Sequence, residues 1–133
     1  MAANLAAGVP AKKLVIGVPF YGRKWVGVGA TNNGLWQTVP EKKAAPMSTP
    51  VFGQIEPLVN AQGYVRYWDA VGQAPYLYNA ETKTFITYND AEAMLARAKY
   101  VKAKKLGGIM FWQYTGDPNH VLLDAIDVGL WGK

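Results

Sequence analysis

The stretch that decides the fold is Gly107-Gly108-Ile109-Met110-Phe111-Trp112-Gln113-Tyr114-Thr115-Gly116-Asp117. Two glycines end a preceding helix, a short apolar run follows, and Asp117-Pro118 can begin another helix. A continuous apolar run bounded in this way is typical of a parallel strand that is covered on both faces. In barrel folds the carboxyl ends of such strands carry the functional residues, so Trp112 and the residues after it are the first candidates.

A second stretch has the same pattern, an apolar run followed by aromatic and polar residues. Residues 14–20, Leu-Val-Ile-Gly-Val-Pro-Phe, are apolar and β-prone, and they lead into Tyr21-Gly22-Arg23-Lys24-Trp25. Gly17 and Pro19 are unfavourable in the middle of an ordinary sheet, but they suit a strand end where the backbone approaches a ligand. The sequence therefore predicts two parallel-type strands, each followed by aromatic and polar side chains.

The chain changes character after the first of these strands. Asn32-Asn33-Gly34 predicts a turn, residues 35–39 alternate like a strand, and residues 40–46 form a predicted loop. A short helix opened by Pro50, with Ser48 or Thr49 as its cap, is expected next.

Three stretches rich in aromatic and β-branched residues then predict strands. They are residues 64–68, 76–78 and 85–88, and the last two form a hairpin around residues 79–83. Residues 26–88 are therefore expected to be a small antiparallel sheet with at most one helix, placed between the two parallel-type strands.

Two longer helices accompany the parallel-type strands. The first is expected to begin with Asn89 as its cap and Glu92 at the capping-box position, and the second to begin at Asp117-Pro118. Apolar residues at helical spacing predict a core-facing stripe on each: Met94, Leu95, Ala98 and Val101 on the first, and Val121, Leu122, Ala125 and Ile126 on the second.

Several motifs of this sequence resemble one family. Gly17-Val18-Pro19-Phe20-Tyr21-Gly22-Arg23, with Trp25 after it, and the run from Gly107 to Trp112 resemble the seventh and eighth strands of glycoside hydrolase family 18 chitinases. Tyr67-Trp68-Asp69 and the segments 74–78 and 85–90 are similar to the closing parts of the small α+β insertion that follows strand seven in that family. The resemblance covers nearly the whole chain, but only the last part of the family's domain.

The resemblance implies a fold and its division into parts. The fold is α/β with an α+β insertion: an incomplete (β/α)8 TIM-barrel fragment, consisting of the last two βα units and a small antiparallel insertion domain. Residues 1–25 are then the strand-seven region, residues 26–88 the insertion, and residues 89–133 a helix, strand eight and the final helix. Because a complete barrel needs about 250 residues, we expect the chain to form homo-oligomers through its exposed strand faces or to repack.

The residues at the strand ends suit the binding of a polysaccharide. A sugar ring has an apolar C–H face that stacks on aromatic rings, and its edge hydroxyl groups need hydrogen bonds. The candidates are Trp112, Tyr21 and Trp25 for stacking, and Arg23, Gln113 and Asp69 for edge contacts. The competing interpretation is structural, with Trp112 in a strand core and Arg23 paired with a nearby carboxylate.

The resemblance implies more specific roles. Trp112 corresponds to the strand-eight tryptophan that forms the floor under the sugar at the cleavage point, and Tyr21 and Arg23 correspond to residues that line the cleft. Chitin or a chitooligosaccharide is therefore the expected ligand, with no cofactor and no metal. Three residues match the motif of the insertion, which forms one wall of the cleft: Trp68, Asp69 and Tyr76.

The catalytic acid of the family is missing from this sequence. In these substrate-assisted enzymes a glutamate protonates the leaving oxygen, and the N-acetyl group of the substrate acts as the nucleophile. That glutamate ends an Asp-x-x-Asp-x-Asp-x-Glu motif on strand four, which the sequence does not contain. The resemblance therefore implies a parent that hydrolyses β-1,4 linkages in chitin, and a chain that alone has no activity.

Two other functions stay open at this point. One is a lectin-like module that binds chitin through Trp112 and the insertion, without catalysis. The other is a structural insertion domain with two βα arms and no ligand. Protection of Tyr21 and Trp112 by a partner chain would favour the structural interpretation.

The composition limits the range of partners. Net charge is +5, from 14 basic and 9 acidic side chains, and there is no cysteine. Much of the excess lies on one predicted helix, so we interpret it as a solvated outer face and expect no nucleic-acid partner: Arg97, Lys99, Lys102, Lys104 and Lys105. No apolar run is long enough for a membrane. An extracellular, secreted setting follows from the resemblance alone, because Met1-Ala2-Ala3-Asn4 lacks the regions of a signal peptide.

Overall fold

The computed structural model describes residues 2–39 and 48–132. The strands of these residues are β1 (Val15–Pro19), β2 (Arg23–Val26), β3 (Tyr64–Asp69), β4 (Ala74–Asn79), β5 (Thr84–Thr87) and β6 (Gly108–Trp112). The α-helices are α1 (Ala2–Ala6), α2 (Phe52–Ile55), α3 (Ala91–Ala103) and α4 (Val121–Trp131). Short 3₁₀ helices lie at Ala11–Lys13, Thr31–Gly34, Glu56–Leu58 and Tyr114–Gly116. The predicted loop over residues 40–46 lies outside the described residues.

β1 and β6 form a parallel pair, as the two apolar stretches predict. The register runs from Val15 opposite Gly108 to Pro19 opposite Trp112. The two strands lie far apart in the sequence, so their pairing brings distant parts of the chain together. It also places the carboxyl ends of both strands at the same edge of the sheet.

The two faces of the parallel pair differ in burial. Val18 is 3% exposed and packs in the main core, whereas Val15, Met110 and Trp112 on the other face are 50%, 54% and 66% exposed. The alternation is that of successive side chains along a strand. The described part of the chain therefore covers one face of the pair, and the other is an exposed strand face of the kind expected from the sequence.

The other four strands form an antiparallel sheet in the order β2-β5-β4-β3. The predicted hairpin is confirmed, since β4 and β5 are adjacent and Asn79 lies opposite Thr84. β3 pairs with the other edge of β4, and β2 with the other edge of β5. Because β2 begins at Arg23, the sheet extends across the predicted boundary after residue 25.

The predicted strand over residues 35–39 is wrong. Asn32 and Asn33 have φ values of 52°, and Trp36 has a φ of 60°. These values lie in the left-handed region, which a strand does not accommodate. The segment instead passes over one face of the antiparallel sheet, where Leu35 and Val39 pack against it.

The antiparallel sheet separates two apolar clusters. Leu77 and Ile86, with exposures of 0% and 1%, face the larger cluster, which contains residues of β1, α2, α3 and α4. Tyr76, Tyr78 and Phe85 face the smaller cluster. Alternation along β4 and β5 sends neighbouring side chains to opposite faces and so produces both clusters.

Phe20, directly after β1, connects the two sheets. Its N–H donates to the Trp112 carbonyl at 2.7 Å, and its own carbonyl accepts from the Phe52 N–H at 2.9 Å. Its ring is 1% exposed and stacks on Phe111 at 4.7 Å between centroids. A methyl group on Gly116 would lie 2.6 Å from the Phe20 oxygen, so glycine is needed for this approach.

The predicted start of α3 needs correction by one residue. Asp90, not Asn89, is the cap, because its Oδ1 accepts from the Ala93 N–H at 3.0 Å. The Asn89 side chain is buried and donates to the Pro19 carbonyl at 3.0 Å. Glu92 accepts from the Arg66 guanidinium at 2.7 Å instead of completing a capping box. Both side chains make tertiary contacts that a local motif does not reveal.

The predicted cap of α2 is also wrong. The backbone of Ser48 accepts from the Lys24 N–H at 3.0 Å, so this segment pairs with β2 before the helix starts. The helix begins at Phe52, and the N–H of Val51 donates to Oε1 of Gln54 at 3.2 Å.

An ion-pair cluster joins β3 to the start of α3. Arg66 contacts the carboxylates of Asp90 and Glu92, each at 2.7 Å, and its guanidinium lies 5.4 Å from the centre of the Trp68 ring. Burial lowers the pKa of Arg66, but its hydrogen bonds and charge attraction to the two carboxylates outweigh this, and the net pKa is raised. Nearby, burial and the Asp90 charge raise the pKa of Tyr88 to about 12.

Asp117 caps α4 from four residues before the first residue of the helix. The helix begins at Val121 rather than at Pro118, yet Oδ2 of Asp117 accepts from the N–H groups of Leu122 and Leu123 at 2.8 and 3.0 Å. The side chain is 1% exposed. It therefore supplies the acceptor that the first turn of a helix lacks, with a charge of the favourable sign.

We expect Asp117→Ala to lower the free energy of unfolding by about 2 kcal/mol, because two charge-assisted bonds to the helix end are lost. Urea denaturation followed by circular dichroism measures the change. The control is Asp127→Ala, an exposed carboxylate of the same helix, for which the change should stay within about 0.5 kcal/mol. Equal losses in the two variants would contradict the capping role.

Candidate substrate-binding site

The carboxyl ends of β1 and β6 open onto a groove of about 420 Å³, which we call the strand-end groove. Its lining is Phe20, Tyr21, Arg23, Thr49, Val51, Trp112 and Gln113. Four of the seven predicted site residues therefore meet in one place: Tyr21, Arg23, Trp112 and Gln113.

The parallel register explains this meeting. Pro19 lies opposite Trp112, so the residues that follow the two strands leave the sheet at the same edge. The indole of Trp112 lies on the uncovered face of the pair and is 66% exposed. The peptide bond between Trp112 and Gln113 is cis. The groove thus presents an open aromatic ring beside amide and guanidinium groups.

The backbone beside Tyr21 is fixed by a neighbouring segment. Tyr21 forms an isolated antiparallel bridge with Val51, and the Gly22 N–H donates to the Pro50 carbonyl at 2.8 Å. This short ladder fixes the backbone from which the Tyr21 ring projects.

Gly22 passes through a space that excludes any side chain. A methyl group at this position would overlap the carbonyl oxygen of Thr87 and lie 2.6 Å from Cδ1 of Ile55. Glycine therefore lets the chain run close to β5 between the two residues of the groove, Tyr21 and Arg23.

A second cleft of about 430 Å³, the connecting cleft, continues from the strand-end groove. It shares Tyr21 and Arg23 with the groove, and its other walls include Trp25, Asn89 and Arg97. Residues of the parallel pair and of the antiparallel sheet thus both contribute to the lining of this cleft.

Arg97 departs from the predicted solvated face of α3. Its guanidinium donates to the Gln73 carbonyl at 3.2 Å and to the Ala93 carbonyl at 3.0 Å. Burial lowers the pKa of Arg97, while the charge of Asp90 acts in the opposite direction. Lys99 and Lys102 on the same helix are exposed, as predicted.

A third cavity of about 360 Å³, the sheet-face pocket, lies on the face of the antiparallel sheet that carries the smaller apolar cluster. Its lining is predominantly apolar and includes Trp25, Leu35, Trp36, Gln37, Asp69, Tyr76 and Phe85. It shares Trp25, Thr87 and Tyr88 with the connecting cleft.

The strand register accounts for this surface. Residues directly opposite one another in a sheet point to the same face. One cross-strand row contains Arg23, Thr87, Tyr76 and Tyr67, and the next contains Trp25, Phe85 and Tyr78. A single face of the sheet therefore carries Arg23 at one edge and aromatic rings across its width.

The aromatic rings of this face are in mutual contact. The ring centroids of Tyr76 lie 5.4 Å from Tyr67 and 5.1 Å from Phe85. Burial, followed by the effects of Tyr67 and Asp69, raises the pKa of Tyr76. Its phenol therefore keeps its proton in neutral solution and can act as a hydrogen-bond donor.

The remaining predicted residues are divided between the faces of the antiparallel sheet. Trp25 and Asp69 line the sheet-face pocket, and Oδ1 of Asp69 also accepts from the Val71 N–H at 3.0 Å in the β3–β4 turn. Trp68 lies next to Asp69 in β3 and faces the other way, toward the larger cluster and Arg66. The structure therefore places Trp68 in neither the strand-end groove nor the sheet-face pocket.

The sequence interpretation missed two contributors to these surfaces. Trp36 is 81% exposed at the pocket rim, and Arg97 lines the connecting cleft. The apparent alternation of residues 35–39 predicts that Trp36 lies in a strand. Its position two residues after the Asn32-Asn33-Gly34 turn is the signal against that strand. For Arg97 no local signal exists, since its orientation depends on the distant Gln73.

The described residues of the strand-end groove and the connecting cleft include no carboxylate. Asp69 lies in the sheet-face pocket, and Asp90 and Glu92 line a separate cavity that borders the connecting cleft at Tyr88. Within residues 2–39 and 48–132 there is no cluster of three side chains suited to a metal ion. The same residues contain no helix with the length and apolar character to cross a bilayer.

A family comparison agrees with this geometry. The model described as glycosyl hydrolases family 18 matches residues 1–117. Because this match spans most of the chain, the chain belongs to glycosyl hydrolase family 18.

Individual relatives in this family are chitinases. Chitinase A1 of Niallia circulans is 43% identical over 131 residues, which are 96% of this chain and 19% of that protein. The solved chitinase ChiW of Paenibacillus sp. str. FPU-7 has a TM-score of 0.89 at 44% identity, covering 97% of this chain and 12% of that one. A mutant GH18 chitinase of Cycas revoluta, in complex with (GlcNAc)4, has a TM-score of 0.78 at 28% identity over 94% of this chain and 35% of that one.

These relatives are much longer than the present chain. The chain spans about a fifth of Chitinase A1 and about a third of the Cycas revoluta structure. It corresponds to part of a family 18 chitinase domain, with mixed α/β content and a small antiparallel sheet.

We expect Gly22→Ala to lower the free energy of unfolding by about 1–3 kcal/mol, because the new methyl group forces β2 away from β5. Chemical denaturation measures the loss. Gly29→Ala is the matched control, since a methyl group there would meet its nearest neighbour at 3.5 Å, an ordinary contact. A Gly22→Ala protein as stable as the control would show that the close approach is not required.

Proposed function

We propose that this chain supplies part of the substrate cleft of a chitinase, an enzyme that hydrolyses β-1,4 linkages between N-acetylglucosamine units. The observation that carries the proposal is the meeting of Tyr21, Arg23, Trp112 and Gln113 in the strand-end groove. The relatives support it, because the Cycas revoluta protein is a chitinase and its structure holds (GlcNAc)4.

The fold proposal is that β1 and β6 are the seventh and eighth strands of a (β/α)8 barrel, and that residues 26–88 are an insertion after strand seven. Support comes from the uncovered face of the parallel pair, on which Val15 and Met110 are half exposed. Side chains of this kind fill the interior of a barrel. The neighbouring strands of the barrel would cover them, and in their absence homo-oligomers are the expected alternative.

In the proposed cleft each side chain has a defined role. The exposed indole of Trp112 stacks on the apolar face of one sugar ring. Arg23 and Gln113 donate hydrogen bonds to hydroxyl or acetamido oxygens, and the half-buried Tyr21 ring closes the side of the groove between β1 and the 48–52 segment. A neutral polar ligand fits this set, because the groove combines an aromatic surface with directional donors.

The proposal includes no catalysis by this chain alone. Hydrolysis requires a general acid that protonates the leaving oxygen, and the described walls of the strand-end groove carry no carboxylate. The acid would come from the parts of the domain that correspond to the rest of the relatives' length. An extracellular location, as expected for an enzyme acting on chitin, is part of the same proposal.

One observation favours a second candidate, a chitin-binding module without catalysis. The strand-end groove combines the exposed Trp112 ring with Arg23 and Gln113, and its described lining includes no carboxylate. If sugar binds here without the remaining strands, the chain is a binding module in its own right. If no sugar binds, the structural interpretation takes precedence.

We expect saturable binding of the N-acetylglucosamine hexamer in isothermal titration calorimetry, and a loss of tenfold or more in affinity for Trp112→Ala, because the stacking surface is removed. The matched control is Trp131→Ala, a tryptophan that is 70% exposed at the end of α4 and distant from the groove lining. Equal affinity in all three proteins would contradict the proposed site. No heat in the unmodified chain would mean that binding requires the remaining strands and would favour the structural interpretation over the binding module.

We expect no hydrolysis when the hexamer is incubated with the chain and its products are followed by chromatography. Trp112→Ala serves as the control for a contaminating enzyme, since contaminating activity would be the same in both preparations. Activity that is present in the unmodified chain and abolished by Trp112→Ala would overturn the proposal that the chain lacks a catalytic acid.

A further inference from the structure

We propose that Asn89 is a positioning residue of the strand-end groove. Its side-chain amide fixes the peptide group between Pro19 and Phe20 and, through that group, the backbone of Trp112. The inference deepens the proposed function and rests on it, because Trp112 is the proposed stacking surface for sugar. Asn89 acts through backbone hydrogen bonds and not by contact with the ligand.

Asn89 and Trp112 are linked by two hydrogen bonds to one peptide group. Nδ2 of Asn89 donates to the Pro19 carbonyl at 3.0 Å. The N–H at the other end of that peptide bond, which belongs to Phe20, donates to the Trp112 carbonyl at 2.7 Å. Because the C=O and N–H of a planar trans peptide point in opposite directions, the two bonds hold the peptide plane from both sides. A hydrogen bond to the carbonyl also polarises the N–H and so strengthens its bond to Trp112.

Pro19 makes its carbonyl dependent on this one partner. Proline has no N–H, so the carbonyl is the only backbone group of the residue that forms a hydrogen bond. Since the Phe20 N–H points to β6, the Pro19 carbonyl points to the other edge of β1, with which no strand of the described residues pairs. The Asn89 amide, which is 6% exposed, takes the place of a neighbouring strand there.

The backbone of Asn89 is held independently of β1. Asp90, the next residue, caps α3 through the Ala93 N–H at 3.0 Å and pairs with Arg66 at 2.7 Å. Tyr88, the preceding residue, is buried in the larger cluster. The start of α3 is therefore a fixed support, and the Asn89 amide sets the end of β1 against it.

The chemistry of this position requires a hydrogen-bond donor. The amide of asparagine donates, whereas an aspartate carboxylate of the same shape only accepts and meets the Pro19 oxygen with no proton between them. Protonation of that carboxylate restores an O–H donor. We expect burial to raise the pKa of a carboxyl introduced by Asn89→Asp. The bond to Pro19 is then absent above this pKa and present below it, so pH removes and restores the link in one variant.

The test follows the Phe20 amide and the Trp112 indole by ¹H–¹⁵N NMR in the unmodified chain and in Asn89→Asp, from about pH 7 to about pH 4. At the upper pH we expect the Phe20 amide proton of the variant to move upfield, because its bond to Trp112 is weaker, and the Trp112 indole resonance to move with it. Both should return at the lower pH. The unmodified chain, recorded at each pH, corrects for the titratable groups around the position. These are Tyr21, Arg23, Tyr88, Asp90 and Arg97.

The same variant tests the role in binding. Its affinity for the N-acetylglucosamine hexamer, measured by calorimetry, should fall about threefold or more at about pH 7, because the Trp112 ring is no longer held in one position before binding. At about pH 4 the affinity should return to within about twofold of that of the unmodified chain.

The matched control is Asn79→Asp. Asn79 is also buried, and its amide donates to a backbone carbonyl, that of Gln62, at 3.0 Å. It lies opposite Thr84, at the far end of β5 from Arg23. This variant should lower the stability but leave the Trp112 resonance and the hexamer affinity unchanged.

A second variant covers the case in which Asn89→Asp does not fold at about pH 7. Asn89→Ser has a hydroxyl group that is too short to reach the Pro19 carbonyl and leaves room for a bridging water. The Phe20 and Trp112 resonances should move in the same direction as in Asn89→Asp, by a smaller amount.

The outcomes separate this inference from the proposed function. Unchanged Phe20 and Trp112 resonances in the Asn89 variants overturn the positioning role, and so does an equal change of the Trp112 resonance in Asn79→Asp. Displaced resonances with an unaltered hexamer affinity overturn the link to binding. If the unmodified chain does not bind the hexamer, that result concerns the binding proposal, and the two resonances still decide whether Asn89 positions Trp112.

Discussion

The two hydrogen bonds of the Phe20 backbone are the constraint on which the candidate site depends. The N–H is bonded to the Trp112 carbonyl at the end of β6, and the carbonyl to the Phe52 N–H at the start of α2. A buried peptide group left without partners destabilises a protein by about 1–3 kcal/mol, so both bonds have to form at once. Each fixes a different part of the fold, and the Phe20 ring, stacked on Phe111, fills the space between them.

The strand-end groove is a direct result of this junction. Tyr21 and Arg23 leave the junction along β2, while Gln113 leaves it on the other side after Trp112. The backbones of Tyr21, Arg23 and Trp112 are held by strand pairing, whereas Arg23, Trp112 and Gln113 keep exposed side chains. A ligand that meets side chains on fixed backbone loses less free energy to ordering on binding. The same argument applies across the antiparallel sheet, whose register places the aromatic rows beside the groove.

The sequence predicted the parts of the fold that local patterns determine. Both parallel strands, the β4–β5 hairpin and the core faces of α3 and α4 follow from apolar periodicity. Errors occurred where distant contacts decide: Asn89 binds the Pro19 carbonyl instead of capping α3, and Trp36 has a left-handed backbone that ends the apparent strand. For the candidate site, the order of the motifs in the sequence predicted which residues follow the strand ends. The side of the sheet to which Trp68 points was not predictable, because alternating aromatic residues do not indicate which face of their sheet is exposed.

The pairing of β2 with β5 has a consequence for how this chain can change. Arg23 lies opposite Thr87, and Val26 opposite Thr84, so the segment between them departs and returns through one short ladder. Its ends stay a fixed distance apart whatever lies between. A segment closed in this way can become longer or shorter at a small entropic penalty, since the entropy of loop closure depends only weakly on loop length. The loops of this segment can therefore change in length, whereas Val51 and Phe52 have to stay, because Phe52 supplies the N–H that bonds to the Phe20 carbonyl.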